Sequence, residues 1–401
     1  MKILIADALP EAARNSFKSI PLDVDYAPDA AGPELLQKLK DSNPQILVVR
    51  GTKVDAGHLL AATNLSLVIR AGAGVNTIDV KKASSLGIYV ANCPGKNAIA
   101  VAELAFGHLL SIDRHIVQGA IDLRQGIWNK KVYSNARGIF GRRLGILGVG
   151  DIGKEMITRA HAFGLSVVAW SRSLTESQAD ALGVTHARTP LEVAKSCDIL
   201  SVHLALAPET RALVNREIFE ALPREAVFLN TSRSEVVDQA ALEEAVRNRG
   251  LYAGLDVFEG EPSGSTGTIP PGIFALSRVQ GSHHTGASTD QAQDAVSEEA
   301  VRIVQVFMRE GRVENCVNLA VKPDATHLLV VRHRDEVGVL AFVLDALKEA
   351  HKNVQGMDNI LFAGGEAACA RIQVEGALED KLLAQLQSHP AILALSAMPL
   401  A

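Results

Sequence analysis

Cysteine is scarce in this 401-residue sequence, and the few cysteines are far apart. No two of the four form a C-x-x-C pair: Cys93, Cys197, Cys316 and Cys369. Disulfide frameworks and Cys-ligated zinc sites need closely spaced cysteines. The adjacent His283 and His284 also lack further ligands at a useful spacing,. We therefore expect reduced thiols, a cytoplasmic location and no catalytic metal.

Long apolar runs and an excess of positive charge are missing as well. The longest apolar stretch, roughly residues 98–110, is broken by Glu103 and His108 and is too short to cross a bilayer,. The first residues are typical of a buried strand and not of a signal peptide,. The formal net charge of −5 does not favour a nucleic-acid or anionic-membrane partner,. These features predict a soluble protein whose partner is a small molecule.

Short apolar runs alternate with amphipathic segments, which predicts right-handed βαβ units and doubly wound parallel sheets. The strand candidates form two series: 3–6, 46–49, 68–70 and 89–91, then 144–147, 166–170, 199–203, 227–230 and 254–257. A long apolar helix at 98–114 joins the two series. An amphipathic helix after Asp290 would return the chain to the first domain,.

The C-terminal segment has a different pattern. Residues 315–324, with Pro323, are typical of a linker,. Beyond them the order strand, helix, strand, strand, helix, strand predicts a ferredoxin-like βαββαβ domain: 326–332, 338–350, 354–362, 367–374, 378–387 and 392–397,. A unit of this size is too small to be a catalytic domain, so we expect a regulatory or assembly role.

A glycine-rich turn directly follows the strand at 144–147 and opens a helix. Its motif is Gly148-Val-Gly150-Asp151-Ile152-Gly153. In this context G-x-G-x-x-G predicts dinucleotide binding, because the glycines let the backbone approach a pyrophosphate at the helix N-terminus.

The second nucleotide strand ends in Ser171 and Arg172. A carboxylate that binds the ribose of NAD is usual at this position. Arg172 paired with a 2′-phosphate favours NADP. Arg172 stacked on adenine or left in solvent is compatible with NAD. The sequence leaves both cofactors open.

Three segments at predicted strand ends carry the residues for acid–base chemistry. Arg233, Glu261 and His284 would all project from the carboxyl edge of one sheet, where open α/β sheets bind ligands,. Arginine can grip a carboxylate through two hydrogen bonds. Histidine has a pKa suited to taking a hydroxyl proton, and a neighbouring carboxylate stabilises the imidazolium. The combination indicates hydride exchange between a nicotinamide and a 2-hydroxy acid.

Four motifs resemble those of the D-isomer-specific 2-hydroxyacid dehydrogenases: 147–153, 230–233, 254–262 and 284–289. The resemblance implies that Arg233 binds the substrate carboxylate. It also implies that His284 is the acid/base, that Glu261 is its partner, and that Asp256 contacts the nicotinamide side of the cofactor.

Other loops are similar to those of the branch that oxidises 3-phospho-D-glycerate to 3-phosphohydroxypyruvate for L-serine synthesis. The resemblance implies that five residues bind substrate, with the phosphate near the first and last: Arg50, Gly51, Gly74, Asn97 and Lys130. A phosphate carries nearly two negative charges, which suits basic side chains. Lys130 either serves a pocket, across a dimer interface, or is a solvated surface charge.

The C-terminal segment resembles an ACT domain, a small amino-acid-sensing fold. By this resemblance His333, Asp335 and Asn353 occupy effector positions. Asp335 stands where Asn is usual for serine binding, and Val337 replaces the usual proline. We therefore expect weak or absent serine inhibition, and a domain that assembles a homodimer or homotetramer.

Together these features predict three units. The first is a split substrate domain (1–97 and 285–318), the second is an NAD(P)-binding Rossmann domain (98–284), and the third is an ACT-like domain (325–401). Two alternatives remain open. A hydroxypyruvate or glyoxylate reductase of the same family would not need a phosphate pocket. A catalytically dead protein that senses NAD and an amino acid would not need the acid–base residues.

Overall fold

The computed structural model describes residues 1–262, 266–320 and 324–400, so Pro323 lies outside the described residues. The chain divides into two units, Met1–Asn318 and Leu319–Ala401. The first unit contains two parallel sheets, and the second contains one antiparallel sheet. None of the described helices has the length and apolarity that a bilayer crossing requires.

The first sheet is parallel, in the order β2-β1-β3-β4-β5. Its strands are β1 (Lys2–Ile5), β2 (Asp23–Tyr26), β3 (Ile46–Val49), β4 (Leu67–Arg70) and β5 (Tyr89–Asn92). The helices between them are α1 (Glu11–Ser19), α2 (Pro33–Ser42), α3 (Ala56–Ala61) and α4 (Val80–Ser85). β3 is buried along its whole length, as expected for a strand covered on both faces,.

Three helices follow the first sheet: α5 (Ala98–Arg114), α6 (Ile116–Arg124) and α7 (Lys130–Tyr133). The bounds of α5 agree with the sequence prediction. α5 is largely buried, whereas α6 and α7 contain no buried residue. The sequence did not predict α6 and α7.

The second sheet is also parallel, in the order β12-β11-β10-β9-β6-β7-β8. Its strands are β6 (Arg143–Leu147), β7 (Ser166–Trp170), β8 (Thr185–His186), β9 (Ile199–Val202), β10 (Val227–Asn230), β11 (Tyr252–Leu255) and β12 (Val279–Gly281). The helices are α8 (Asp151–Ala162), α9 (Glu176–Ala181), α10 (Pro190–Lys195), α11 (Arg216–Ala221) and α12 (Gln239–Arg249). The strand order reverses next to β6, the position at which doubly wound sheets bind nucleotides.

Helix α13 (Asp290–Glu310) follows the second sheet in sequence but packs on the first. Its apolar side, which includes Ala300 and Ile303, shares a core with Phe17 of α1 and with Ile3 and Ile5 of β1. The chain therefore passes between the two sheets twice, before α5 and before α13.

The second unit has the βαββαβ order expected from its sequence. Its elements are β13 (His327–Arg334), α14 (Val339–Glu349), β14 (Val354–Leu361), β15 (Ala367–Val374), α15 (Asp380–Gln387) and β16 (Ile392–Pro399). The sheet is antiparallel in the order β14-β15-β13-β16, and one core joins it to both helices. The predicted fold class, two doubly wound parallel sheets and a small ferredoxin-like domain, is confirmed.

Candidate active site

The glycine turn connects β6 to α8, and packing dictates two of its glycines. Gly148 has a φ of +99°, and a Cβ atom there would lie 2.4 Å from the carbonyl oxygen of His203. A Cβ on Gly153 would lie 2.2 Å from the carbonyl oxygen of Gly148. A Cβ on Gly150 would meet nothing within 4 Å. The first and last glycines therefore hold the turn together, while Gly150 leaves space above the backbone.

The N-terminus of α8 opens into a cleft of about 660 Å³ between the two sheets. Gly150 is the N-cap and offers no side chain to the first amides of the helix. Asp151 and Ile152 line the cleft, and the Asp151 carboxylate approaches Gly95 on the opposite wall. Uncapped helix amides bind phosphate groups well, so the turn suits the pyrophosphate of a dinucleotide.

Two buried polar atoms in the cleft wall have no hydrogen-bond partner among the described residues: Nδ1 of His203 and Oγ1 of Thr231. These residues directly follow β9 and β10, and the pairing of Val202 with Asn230 places them side by side. Burial lowers the pKa of His203 to about 3, so its ring is neutral. Buried polar atoms normally have a hydrogen-bond partner. A polar ligand in the cleft would supply the partners that these two atoms lack. The sequence analysis did not select either residue.

Ser171 and Arg172 directly follow β7, as expected for the position next to the adenosine ribose. Arg172 is exposed, and it makes no hydrogen bond or ion pair with another described residue. Its guanidinium group is therefore free to meet a 2′-phosphate.

His284 and Glu261 form a close pair at the mouth of the cleft. Nδ1 of His284 lies 2.7 Å from Oε2 of Glu261, and the other carboxylate oxygen accepts a 2.9 Å bond from the Phe258 amide. The hydrogen bond that His284 donates to Glu261 raises the pKa of His284 above its usual value, although burial opposes the shift. Asp256 also raises this pKa, and Arg233 lowers it. His284 has a φ of +53°, an uncommon conformation that the surrounding loop must stabilise,.

Asp256 lies beneath His284 and is only 1% exposed. Its carboxylate accepts hydrogen bonds from Ser282 Oγ at 2.6 Å and from the Thr285 and Gly286 amides, each at 2.8 Å. Both amides belong to the loop that carries His284. Asp256 lines the large cleft, but its oxygens are largely occupied in holding this loop.

Three arginines converge from both sheets. Arg50 follows β3, Arg70 ends β4 and Arg233 follows β10. Arg50 Nη1 donates to Gln293 at 3.1 Å, and Arg233 Nη1 donates to the Ser232 carbonyl at 2.7 Å, so both contacts are to neutral groups. Burial, followed by the charges of Arg233 and Arg50, lowers the pKa of Arg70. Such mutual repulsion favours a bound anion.

Arg70 is a further cleft residue that the sequence analysis did not select. It lines both the large cleft and an adjoining cavity of about 250 Å³, which is also lined by Arg50, Gly51, Asn97 and His284. The signal was present in the sequence, because an arginine at the carboxyl end of a parallel strand points towards the ligand edge of the sheet.

The remaining expected substrate residues differ in their placement. The Gly51 amide donates to Asp7, and a Cβ on Gly74 would lie 2.7 Å from Nη2 of Arg233. Asn97 precedes α5 and lines both cavities. Lys130 is exposed on α7, and it lines neither cavity of its own chain.

The three expected effector residues are not brought together within one chain. His333 and Asp335 lie near the end of β13, beside Ala367 of β15, whereas Asn353 precedes β14, beside Val374. The eight residues of β15 separate the two places, about 25 Å at the usual rise per residue,. A ligand that contacts both places would need a second chain.

The comparisons with known proteins agree with this geometry. Residues 106–286 match the family model for the D-isomer specific 2-hydroxyacid dehydrogenase, NAD binding domain. Hydroxypyruvate reductase from Thermotoga maritima is 39% identical over 268 residues, which cover 66% of this chain and 85% of that protein. This chain belongs to the D-isomer specific 2-hydroxyacid dehydrogenase family.

Other relatives in the family differ in length and in named activity. D-3-phosphoglycerate dehydrogenase from Methanocaldococcus jannaschii is 34% identical over 80% of this chain, and the match spans 60% of that protein's length. The solved structure of an NADPH-dependent glyoxylate/hydroxypyruvate reductase from Sinorhizobium meliloti, in complex with NADP and malonate, is 27% identical with a TM-score of 0.68. It matches 79% of this chain and 96% of that one.

Proposed function

We propose that this protein is a D-3-phosphoglycerate dehydrogenase that oxidises 3-phospho-D-glycerate to 3-phosphohydroxypyruvate in L-serine synthesis. The observation that supports the proposal is the placement of three arginines around His284. Arg50 and Arg70 line the smaller cavity, Arg70 and Arg233 line the adjoining cleft, and His284 lines both. The substrate has one carboxylate and a phosphate with nearly two negative charges. The three positive charges of the guanidinium groups balance the nearly three negative charges of the substrate.

The two sheets would hold opposite ends of the substrate. Arg233 stands beside His284, close enough to lower its pKa, and binds the carboxylate next to the reacting carbon,. Arg50 and Arg70 come from the first sheet and bind the phosphate.

His284 acts as the base at its Nε2 atom. Its Nδ1 faces Glu261, so the Nδ1 proton is donated to that carboxylate and Nε2 is free to accept the substrate hydroxyl proton,. Glu261 then stabilises the imidazolium that forms. A bound nicotinamide cofactor supplies the hydride acceptor.

The cofactor would bind along the carboxyl edge of the second sheet. Gly148, Gly150 and Gly153 shape the pyrophosphate site, with Asp151 and Ile152 in the same wall. Asp256 bounds the nicotinamide end. We propose NAD as the cofactor, with NADP also accepted through Arg172.

We also propose a homo-oligomer, a dimer or a tetramer, that assembles through two regions. The α6–α7 surface exposes several large apolar side chains: Ile116, Val117, Ile121, Leu123, Ile127, Trp128 and Val132. Exposed large apolar side chains in such number along one segment are typical of an interface. It would bring Lys130 of the same segment towards a neighbouring subunit. The ACT-like unit would supply the second contact.

The division into a split substrate domain (1–97 and 285–318), a nucleotide domain (98–284) and an ACT-like domain (325–401) is part of the same proposal. It is supported by the packing of α13 on the first sheet. Four free cysteines suit the reducing cytoplasm, where we place the enzyme,.

The test compares Arg50→Ala with the unaltered enzyme on two substrates. For 3-phospho-D-glycerate, kcat/KM should fall roughly 10- to 150-fold, the equivalent of about 1.5–3 kcal/mol for one charge-assisted hydrogen bond. For D-glycerate, which has no phosphate, it should change little. Equal losses on both substrates would assign Arg50 to the scaffold and contradict the proposal.

Hydroxypyruvate reduction is the second candidate, favoured by the Thermotoga maritima relative, of which this chain covers the larger share. It would use the same His284 and Glu261 in the reverse direction. A reductase for an unphosphorylated substrate should prefer hydroxypyruvate to its phosphorylated form, and Arg50→Ala should leave it unaffected. The close His284–Glu261 pair counts against a dead sensor protein.

A further inference from the structure

A second histidine, His108, lies behind the candidate active site and has no part in the chemistry proposed above. It belongs to α5 and is 7% exposed. Its Nε2 lies 2.9 Å from Oγ of Ser282, and that hydroxyl lies 2.6 Å from Oδ1 of Asp256. The three side chains form one continuous chain of hydrogen bonds.

The single proton of the serine hydroxyl determines the direction of these bonds. An ionised carboxylate only accepts hydrogen bonds, so Ser282 must donate its proton to Asp256,. Ser282 then has only lone pairs to offer to His108, so Nε2 of His108 must carry a proton and donate it. Burial lowers the pKa of His108 and so favours the neutral ring, although Asp256 opposes the shift. The geometry thus assigns the Nε2–H tautomer.

The chain of bonds continues to the catalytic loop. Asp256 also accepts the amides of Thr285 and Gly286, which immediately follow His284. A side chain on Gly286 would collide with this carboxylate, because its Cβ would lie 2.9 Å from Oδ2. The position of Asp256 therefore determines the position of the loop.

His108 is itself held firmly. Gln280 of β12 donates to the His108 carbonyl at 2.9 Å and accepts from Ser111 Oγ at 3.0 Å. A Cβ at position 254 would lie 2.8 Å from the Cβ of His108, so Gly254 provides the space that this side chain occupies. The imidazole has little freedom to leave Ser282.

We propose that His108, acting through Ser282, is a positioning residue that holds Asp256 and thereby the His284 loop in the reactive arrangement. The proposal rests on the role of His284 given above. Without the His108 donor, the Ser282 hydroxyl loses the partner that keeps its proton directed at Asp256. The loop then becomes less well ordered at the residue that must receive the substrate proton.

This arrangement does not depend on pH. Nε2 carries a proton in both the neutral and the charged form of His108, so the bond to Ser282 persists when the ring titrates. The charged groups that face His284 are Glu261, Asp256 and Arg233, and the largest cause of its raised pKa, the hydrogen bond to Glu261, does not involve His108. Loss of His108 should therefore lower the plateau of the pH–rate profile without moving its acid limb.

The test uses a matched pair of variants of the full-length protein. His108→Met removes the donor and keeps the approximate volume, whereas the side-chain amide of His108→Gln restores an N–H near the position of Nε2. His108→Met should lower kcat about 10-fold, the equivalent of a lost hydrogen bond of about 1.4 kcal/mol. KM for the cofactor should stay within about 2-fold of the original. His108→Gln should recover most of the lost rate.

A double-mutant cycle with Ser282→Ala tests the link itself. Once Ser282 is absent, the His108→Met change should lower kcat by no more than about 2-fold further. Additive losses, no rescue by glutamine, or a shifted acid limb would each overturn the proposal. If His108→Met fails to fold, Ser282→Ala alone breaks the same link and should show the same loss of kcat with an unmoved acid limb.

A readout independent of turnover separates this proposal from the proposed function. In protein labelled with 15N-histidine, the resonances that disappear in His108→Gln belong to His108. At neutral pH their shifts should show a protonated Nε2 and an unprotonated Nδ1. An Nδ1–H tautomer would refute the positioning proposal, whatever the substrate. Lack of activity on phosphoglycerate, with the Nε2–H tautomer present, would refute only the substrate assignment.

Discussion

Substitution by alanine should have different effects at two glycines of the same turn, on cofactor binding at one and on stability at the other. Gly150 has φ −79° and ψ −162°, a conformation open to any residue, and a Cβ there meets nothing within 4 Å. At Gly153 the added atom would lie 2.2 Å from a backbone oxygen that cannot move away easily, because Gly148 is itself packed against His203. We expect Gly150→Ala to impair cofactor binding only, and Gly153→Ala to impair stability.

The magnitudes follow from these environments. Gly150→Ala should leave the free energy of unfolding unchanged or raise it by about 0.4–1 kcal/mol, because alanine restricts the unfolded chain. Its methyl group occupies the approach to the helix amides. Loss of one charge-assisted hydrogen bond there would weaken NADH binding by about 1.5–3 kcal/mol, or roughly 10- to 150-fold in Kd. Gly153→Ala should cost about 1–3 kcal/mol of stability through overpacking.

The assay combines calorimetric titration of NADH with thermal unfolding of each variant without cofactor. Gly153→Ala should lower Tm by several degrees, at about 2–4 °C per kcal/mol for a domain of this size. Gly150→Ala should keep its Tm or raise it slightly. If Gly150→Ala bound NADH within about 2-fold of the original affinity, the open space above Gly150 would not be the pyrophosphate site.

The other predictions concern the acid–base pair, the ribose site and the C-terminal unit. His284→Ala should lower kcat by roughly 10²–10⁴, with little change in cofactor affinity; near-normal turnover would contradict its role as base. Glu261→Gln should lower the pKa of His284, and since oxidation needs the neutral ring, the acid limb of kcat/KM should move to lower pH,. An unmoved limb would show that the pair is not coupled. Arg172→Glu should reduce kcat/KM with NADP more than with NAD, and equal losses would exclude a 2′-phosphate contact. L-Serine should inhibit weakly or not at all, because the Asp335 carboxylate repels the carboxylate of serine; saturable inhibition at ~0.1 mM would contradict this.

In the two parallel sheets, the sequence predicted the strands whose central residues are buried. The bounds of α5 and β3 were correct, because apolar residues fill the helix face and the whole strand. β2 was missed, because an edge strand with the sequence Asp-Val-Asp-Tyr resembles a polar loop. β8, of two residues, carries too little pattern to be recognised, and β12 was predicted only as the strand before His284, without bounds. Edge strands are partly solvated, so their burial leaves a weak signal in the sequence.

For the site, strand ends were informative and distant segments were not. Asp256, Glu261 and His284 follow neighbouring strands, and parallel pairing brings such residues together. Arg70 was overlooked because its strand was judged by its apolar residues alone. The contact of His108 with Ser282 depends on how α5 packs across β12, which no local pattern specifies.

The division of the binding residues between two sheets has a consequence for ligand recognition. Arg50 and Arg70 belong to one sheet, and Arg233 with His284 belongs to the other. On the proposed binding mode, phosphoglycerate acts as a non-covalent cross-link between the halves. A ligand too short to reach both sheets would contact the binding residues of only one sheet. Its transfer rate should then suffer more than its affinity, and selectivity for chain length would follow from geometry without any added steric barrier.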